Sequence, residues 1–360
     1  MTVAKFGVVG AGWRAEFYTR LARLLPDEVE VVGAAVRSSE RAELVSAAWG
    51  VPVWATPGEL VRAARPDFVI TSVPWAANAA IVVDLVQSGV RVLSETPPAP
   101  DLSGLRSLWG EIGRFDAVQV AEQYPLLPGH TARLNIVGRG VIGPTTSAQV
   151  SSTHTYHAVA LIRAYLGLGD SYEPVTVNAS ELSGPLVDPL DRNGWTLDGE
   201  AKDALNVIAT LDFGDGRSGV YDFTSNQWHN RLRHRRIVVR GSRGEIVDDD
   251  IVYLRDERTV LSSKLTRQQL GYDLNLDGYD TECMVFEGEP VWRNPLLGHR
   301  LMDEEIAMAT LLSAMASWAK EEGPPPYPLA RACQDHLLGL AIDESLTACR
   351  PVRTEPGGWH

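Results

Sequence analysis

The sequence predicts an α/β protein of two domains. Residues 1–121 read as a doubly wound parallel sheet, and residues 122–360 as an α+β domain dominated by antiparallel strands, with a last helix free to pack on the first domain. Three observations carry this. The chain of 360 residues exceeds one typical core. Up to about residue 121, short apolar runs alternate with helical stretches, the pattern of βαβ units. Beyond that point β-rich segments follow one another directly.

In order, Phe6–Gly10 is an apolar strand, followed by a helix through Leu25. Val29–Val36 is the second strand, with a helix over Glu40–Trp49. Phe68–Val73, Arg91–Ser94 and Ala117–Val120 are further buried strands, separated by helices over Asn78–Ser88 and Leu102–Gly113. In the second region Thr146–Ser152, Val207–Phe213, Arg217–Thr224 and Arg235–Val239 alternate or are β-rich, and Gly214-Asp215-Gly216 is a hairpin turn. A long helix over Asp303–Lys320, a Gly-Pro-Pro-Pro break at 323–326 and a helix over Ala330–Ala348 close the chain.

Composition narrows the function classes. Apolar residues make up 44% and charged residues 22%, so the chain is neither disordered nor fibrous. The net charge of −13 repels phosphate backbones and anionic lipid, which argues against nucleic acid and membrane partners. No apolar run is long enough to span a bilayer, and Met1–Phe6 reads as a strand, not a signal peptide. Three cysteines, Cys283, Cys333 and Cys349, form no C-x-x-C pair. Such sparse usage suits a reducing cytoplasm and points to neither a disulfide framework nor a metal knuckle.

Gly10-Ala-Gly12-Trp13-Arg14-Ala15 is G-x-G-x-x-A placed between a strand and a helix. Gly10 permits the tight turn, Gly12 lets a pyrophosphate approach the backbone, and Ala15 lets helix and strand pack closely. The pattern predicts a dinucleotide-binding Rossmann domain; the plain alternative is a tight turn with no ligand. An NAD-preferring site ends its second strand with Asp or Glu for the ribose 2′-hydroxyl. Here Val36 stands there, followed by Arg37, Ser38 and Ser39, which offer donors to a 2′-phosphate. NADP is therefore the expected cofactor, with NAD as the alternative. The competing reading makes Arg37 a solvated charge and Ser39 a helix cap.

Further motifs carry a family resemblance. Val69-Ile-Thr-Ser72-Val73-Pro74 and Gly89-Val-Arg-Val-Leu-Ser-Glu95-Thr96-Pro97, with Gly140-Val-Ile-Gly143 and the run from His157 to Gly167, resemble the Gfo/Idh/MocA family of glucose–fructose oxidoreductases and inositol dehydrogenases. The resemblance implies a large, mostly antiparallel open sheet in the second domain and assembly as a homodimer or homotetramer. It implies hydride transfer on a sugar, a polyol or a related carbonyl compound. Ser72, Val73, Pro74, Trp75, Glu95, Thr96 and Pro97 would lie near the cofactor, the E-x-P turn beside the nicotinamide with its proline often cis.

The catalytic residues depart from the family pattern. The Lys after the Glu is Thr96, the Asp four residues before the His is Thr153, and the second helix Asp is Ala160; His157 alone matches. Alcohol oxidation must move a proton as hydride leaves, and an imidazole suits that task. His157, with Tyr156 and His154, is the candidate acid/base set, and Thr96, Tyr124, Thr153, His157 and Trp228 are candidates to touch substrate. A dinucleotide-dependent sensor without turnover, a redox-neutral glycoside-cleaving enzyme holding NAD, and a merely structural His157 stay open. His154 and His157 are three apart, but no carboxylate stands near to complete a metal site. The Trp228-His229 pair reads as a loop anchor or as a cap on a substrate pocket, Arg231–Arg236 as a solvated strand edge or as a face for an acidic substrate group, and Asp335-His336 as a helix-surface pair or as one that reaches the cleft.

Overall fold

The computed structural model describes residues 3–191, 193–271 and 278–359. Met1 and Thr2 of the predicted first strand lie outside the described residues. The chain forms two compact units: Met1–Leu127, Pro295–Cys333 and Trp359–His360 in the first, Pro128–Asn294 and Gln334–Gly358 in the second.

In the first unit the order is β1 (Ala4–Val9), α1 (Trp13–Ala22), β2 (Val29–Ala35), α2 (Ser39–Trp49), β3 (Val53–Trp54), α3 (Pro57–Ala64), β4 (Phe68–Thr71), α4 (Trp75–Gln87), β5 (Arg91–Ser94), α5 (Leu102–Ile112) and β6 (Val118–Val120). The strands run parallel in the order β3-β2-β1-β4-β5-β6, the doubly wound arrangement of a Rossmann domain. β1 and β4 are apolar nearly throughout because helices cover them, and Phe6 stacks on Phe68 with ring centroids 5.3 Å apart. β3 and α3 were not foreseen. A two-residue strand carries no periodicity, although Thr56-Pro57-Gly58-Glu59 holds a full capping box.

The second unit begins with α6 (Pro128–Gly138), β7 (Thr145–Ser151) and α7 (Thr155–Tyr165). Strands β8 (Thr176–Val187), β9 (Leu190–Asp191), β10 (Gly194–Trp195), β11 (Ala201–Gly214), β12 (Arg217–Thr224) and β13 (Arg236–Gly241) follow. Then come β14 (Gly244–Val247), β15 (Asp250–Leu254), β16 (Val260–Leu270), β17 (Asp280–Phe286) and β18 (Glu289–Arg293). The chain next supplies α8 (Asp303–Ala319) to the first unit, and α9 (Leu329–Ala348) and β19 (Val352–Arg353) end it. α8 lays Met308, Leu311, Leu312 and Met315 into the same apolar core as Phe6, Tyr18 and Ile70.

Eleven strands form one open sheet in the order β18-β17-β16-β15-β14-β13-β7-β12-β11-β8-β19, antiparallel except between β7 and β12. The expected hairpin closes β11 on β12, with Asp215 and Gly216 both at positive φ and Gly214 paired to Arg217. Arg231–Arg235 are not strand; only Arg236 of that basic run enters β13, which corrects the strand-edge reading. Inside the unit, Arg163 pairs with the fully buried Asp335 and donates to the carbonyls of Leu168, Gly169 and Ser171. Asp335 is thus a core staple and not part of a helix-surface pair.

Candidate functional site

In the first unit a groove of about 940 Å³ opens where the strand order reverses between β1 and β4. Its floor is the turn leaving β1. Gly10 sits at φ +119°, and a Cβ there would lie 2.0 Å from the Ser72 carbonyl oxygen, so the protein's own backbone demands glycine. Gly12 is different. It caps α1 in ordinary extended geometry, and a Cβ built on it meets no protein atom within 4 Å. No side chain caps the helix, so the N–H groups of its first turn are left to whatever fills the groove. Ala15 is fully buried behind the turn.

Of the residues expected to hold a cofactor, Gly10, Gly12, Trp13, Arg14, Arg37, Ser38, Ser72, Val73 and Pro74 line this groove, joined by Val36 and Thr56. Ser39, Trp75, Glu95, Thr96 and Pro97 do not line it. Ser38, not Ser39, caps α2, accepting from the Arg41 backbone N–H at 3.3 Å, which corrects the cap assignment. Trp75 opens α4 and is 63% exposed, and the Thr96–Pro97 peptide is cis. Arg14 reaches the groove but is engaged elsewhere: Nη1 donates to Glu304 at 3.0 Å, and Nε lies 3.8 Å from Glu95. Tyr18 donates to Glu95 at 2.7 Å. Burial, with Glu95 beside it, pushes the Tyr18 hydroxyl well above its usual range; burial opposes the charge on Arg14, but Glu95, Tyr18 and Glu304 outweigh it and raise that group.

Sequence reasoning overlooked Arg41. Its Nη2 donates to the Ala11 carbonyl at 2.8 Å, which ties the guanidinium to the glycine turn. The signal was its place in the first turn of α2, close in sequence to Arg37 and Ser38.

The second unit gathers the other candidates. β7, β12 and β8 all end at one edge of the open sheet, where β13 begins, because β7 is parallel to β12 and both neighbours of β11 run against it. His154 caps α7 and His157 lies in its first turn. Desolvation, then the neighbouring His157, holds the His154 imidazole below its usual value. Tyr156 is buried, its ring 5.4 Å from that of His157 and 5.9 Å from that of His336. Thr153 is fully buried, and its Oγ1 has no hydrogen-bond partner among the described residues. The loop after β12 is tied down here: His229 Nε2 lies 3.1 Å from Asp188, Asn230 donates to the Val187 carbonyl, and Trp228 sits 6.3 Å from His154. The Asp188–His229 pair, 41 residues apart, was invisible in the sequence. Thr96 and Tyr124 belong to the first unit, whereas Thr153, His157 and Trp228 belong to the second. Among the described residues no group of His, Cys, Asp and Glu is arranged to hold a metal.

The parallel strand order, the open glycine and the uncapped helix define a dinucleotide-binding Rossmann domain. Residues 4–118 match the family model described as "Oxidoreductase family, NAD-binding Rossmann fold", which makes this region a Gfo/Idh/MocA oxidoreductase domain, as its motifs had indicated. No curated protein matches the chain. Solved structures share the fold over the whole length: an oxidoreductase from Agrobacterium radiobacter in complex with NAD+, L-tartaric acid and magnesium (15% identity, 98% of each chain, TM-score 0.68); a myo-inositol dehydrogenase from Corynebacterium glutamicum (17%, 98% of this chain and 99% of that one, 0.67); and an oxidoreductase from Desulfitobacterium hafniense described as NADPH-dependent (12%, 98% of each, 0.69). At these identities the likeness is one of fold alone. Among the described residues no helix is long and apolar enough to cross a membrane.

Proposed function

We propose that this protein is an NADP-preferring oxidoreductase that moves a hydride between the nicotinamide and a sugar, polyol or related carbonyl compound. The observation that carries the reading is Gly12: it lines the groove at the uncapped N-terminus of α1, and the space a Cβ would take is free of protein atoms, which lets a pyrophosphate approach the backbone. The groove's size, its uncapped helix N-terminus and its glycine turn all fit a dinucleotide. When bound, that group supplies the hydride acceptor or donor.

The protein's own residues do the rest. Helix α1 holds the pyrophosphate at its N-terminus, and Arg37, Ser38 and Arg41 meet a 2′-phosphate. Val36 withholds the carboxylate that would repel it. His157 takes the hydroxyl proton of the substrate alcohol as hydride leaves, or returns it in reduction. Its support is its place in the first turn of α7, beside His154 and Tyr156, and the family pattern it matches. The neighbours' ligands, a tartaric acid in one and a myo-inositol substrate implied by another's name, are hydroxyl-rich, which agrees with a polyol or sugar.

A second reading keeps the cofactor and drops turnover. Its support is Thr153, which stands where the family has an Asp and is fully buried with no charge to offer. One experiment separates the two: titrate NADPH and NADH by tryptophan fluorescence, Trp13 being 62% exposed at the groove, then assay both redox states against a polyol and sugar panel. Tight NADPH binding with turnover supports the enzyme. Tight binding with none across the panel supports the sensor. Tighter NADH binding overturns the NADP preference.

A further inference from the structure

We infer that the loop between β12 and β13 is an anion-recognising subsite, and that the ligand of the second unit is a hydroxyl-rich acid, a sugar carboxylate or sugar phosphate, and not a neutral polyol. This rests on the reading of the His154–His157 edge as the substrate side.

The chain carries −13, yet residues 231–236 read Arg-Leu-Arg-His-Arg-Arg. All six are exposed. Arg236 has a carboxylate partner in Asp222 at 2.9 Å. The three arginines of the loop proper have none among the described residues: Arg233 donates to its neighbour's carbonyl, Arg235 to that of Trp228, and Arg231 makes no contact of this kind. In a protein with carboxylates in excess, three exposed guanidiniums in one short loop without a carboxylate partner leave positive charge open to an anion from outside the chain. Arginine's planar fork suits carboxylate and phosphate alike.

Position supplies the second argument. The loop is anchored: Gln227 donates to the Ser151 and His234 carbonyls at 2.8 and 2.6 Å, and His229 leans on Asp188. Trp228, whose carbonyl takes Arg235, has its ring between His154 and His229, with centroids 6.3 and 4.3 Å away. Arg235 is therefore tied to the backbone of the residue whose ring lies beside His154 at the start of α7, and Arg231 and Arg233 belong to the same loop. At that same edge the enclosed Oγ of Ser152, Oγ1 of Thr153, Oδ1 of Asn226 and Nδ1 of His229 take no hydrogen bond from the described residues. Buried polar atoms are usually satisfied, so such a concentration marks polar capacity the fold itself does not use. Hydroxyls, or the water they order, match that capacity; guanidiniums match an acid at the ligand's end.

The test measures affinity of the full-length protein, with NADP+ present, by calorimetry at low and high salt. The ligands are gluconate, galacturonate, glucose 6-phosphate, inorganic phosphate, glucose and myo-inositol. The acids should bind about tenfold or more tightly than their neutral counterparts, with the advantage shrinking in salt. Carboxylate and phosphate members separate the two sources of anion. In R231Q/R233Q the acid-to-neutral ratio should fall towards one, while NADPH affinity and the unliganded melting temperature report an intact fold. The inference is overturned if acids bind no better than neutral sugars, if none of the acids binds, or if the double variant keeps the preference. If neutral polyols are turned over without discrimination, this inference fails and the oxidoreductase reading stands. If acids bind through the arginines and nothing is turned over, the reverse holds.

Discussion

The glycine turn of the first unit and the α7 edge of the second differ in how their residues depend on one another. At the turn, each residue answers to a local constraint: Gly10 to the Ser72 carbonyl, Gly12 to the groove, Ala15 to helix packing. At the α7 edge, the contacts join side chains from four places in the sequence, around 153–157, 188, 226–235 and 336. The first kind of site tolerates little change in sequence and so stays recognisable. The second draws on positions far apart in the chain, and there Thr153 and Ala160 stand where the pattern that the motifs resemble has Asp.

The sharpest way to break that comparison is at the two glycines. Gly12→Val should abolish dinucleotide binding, seen as loss of the fluorescence titration, with an unchanged melting curve, since no protein atom lies within 4 Å of the new carbon. Gly10→Ala should instead unfold at lower temperature, because its Cβ meets backbone at 2.0 Å and its φ is positive. If Gly12→Val binds cofactor as before, the groove is not the site.

His157→Ala should lower turnover by about 10²–10⁴ while cofactor affinity holds, the range for a general acid or base. Loss of ligand binding without any rate to lose would move His157 to the sensor reading.

His130 probes the scaffold instead. Burial, and then Arg133, lowers its imidazole to about 3, and its Nδ1 lies 2.8 Å from the Tyr165 hydroxyl. The unfolded chain protonates this ring near pH 6.5 while the folded one resists. Its contribution is therefore whole above about pH 6.5 and drains away as pH falls towards 3, by a few kcal/mol in all. Chemical denaturation across that window should show the decline, and His130→Gln should flatten it.

The smallest effect belongs to cofactor choice. Arg37→Ala should narrow the NADPH-over-NADH preference by about 1–2 kcal/mol, and Arg41→Ala by a similar amount, read from the two titrations. An unchanged ratio in both would mean that neither guanidinium meets the 2′-phosphate.

These differences follow what a sequence can express. Most strands and helices of the first unit were legible because buried parallel strands are apolar runs separated by helical stretches; helix α1 ended at Ala22, short of the expected Leu25. The short β3 escaped for lack of period, and Arg41 because its bond to Ala11 joins two turns 30 residues apart. In the second unit the strands of the hairpin were read correctly, but Asp188–His229 and Tyr156–His336 depend on which strands end at the same edge, a property of topology and not of spacing.

Helix α8 has a consequence for how the protein is made. The core of the first unit includes Met308, Leu312 and Met315, which leave the ribosome only after the whole run of strands from β7 to β18. At about 5–20 residues per second the wait is on the order of tens of seconds. During it, the faces of Phe6, Tyr18 and Ile70 that α8 will cover stay open to solvent. The nascent nucleotide-binding half thus keeps that apolar surface uncovered until synthesis is nearly complete, and a fragment ending at Leu127 would keep it uncovered.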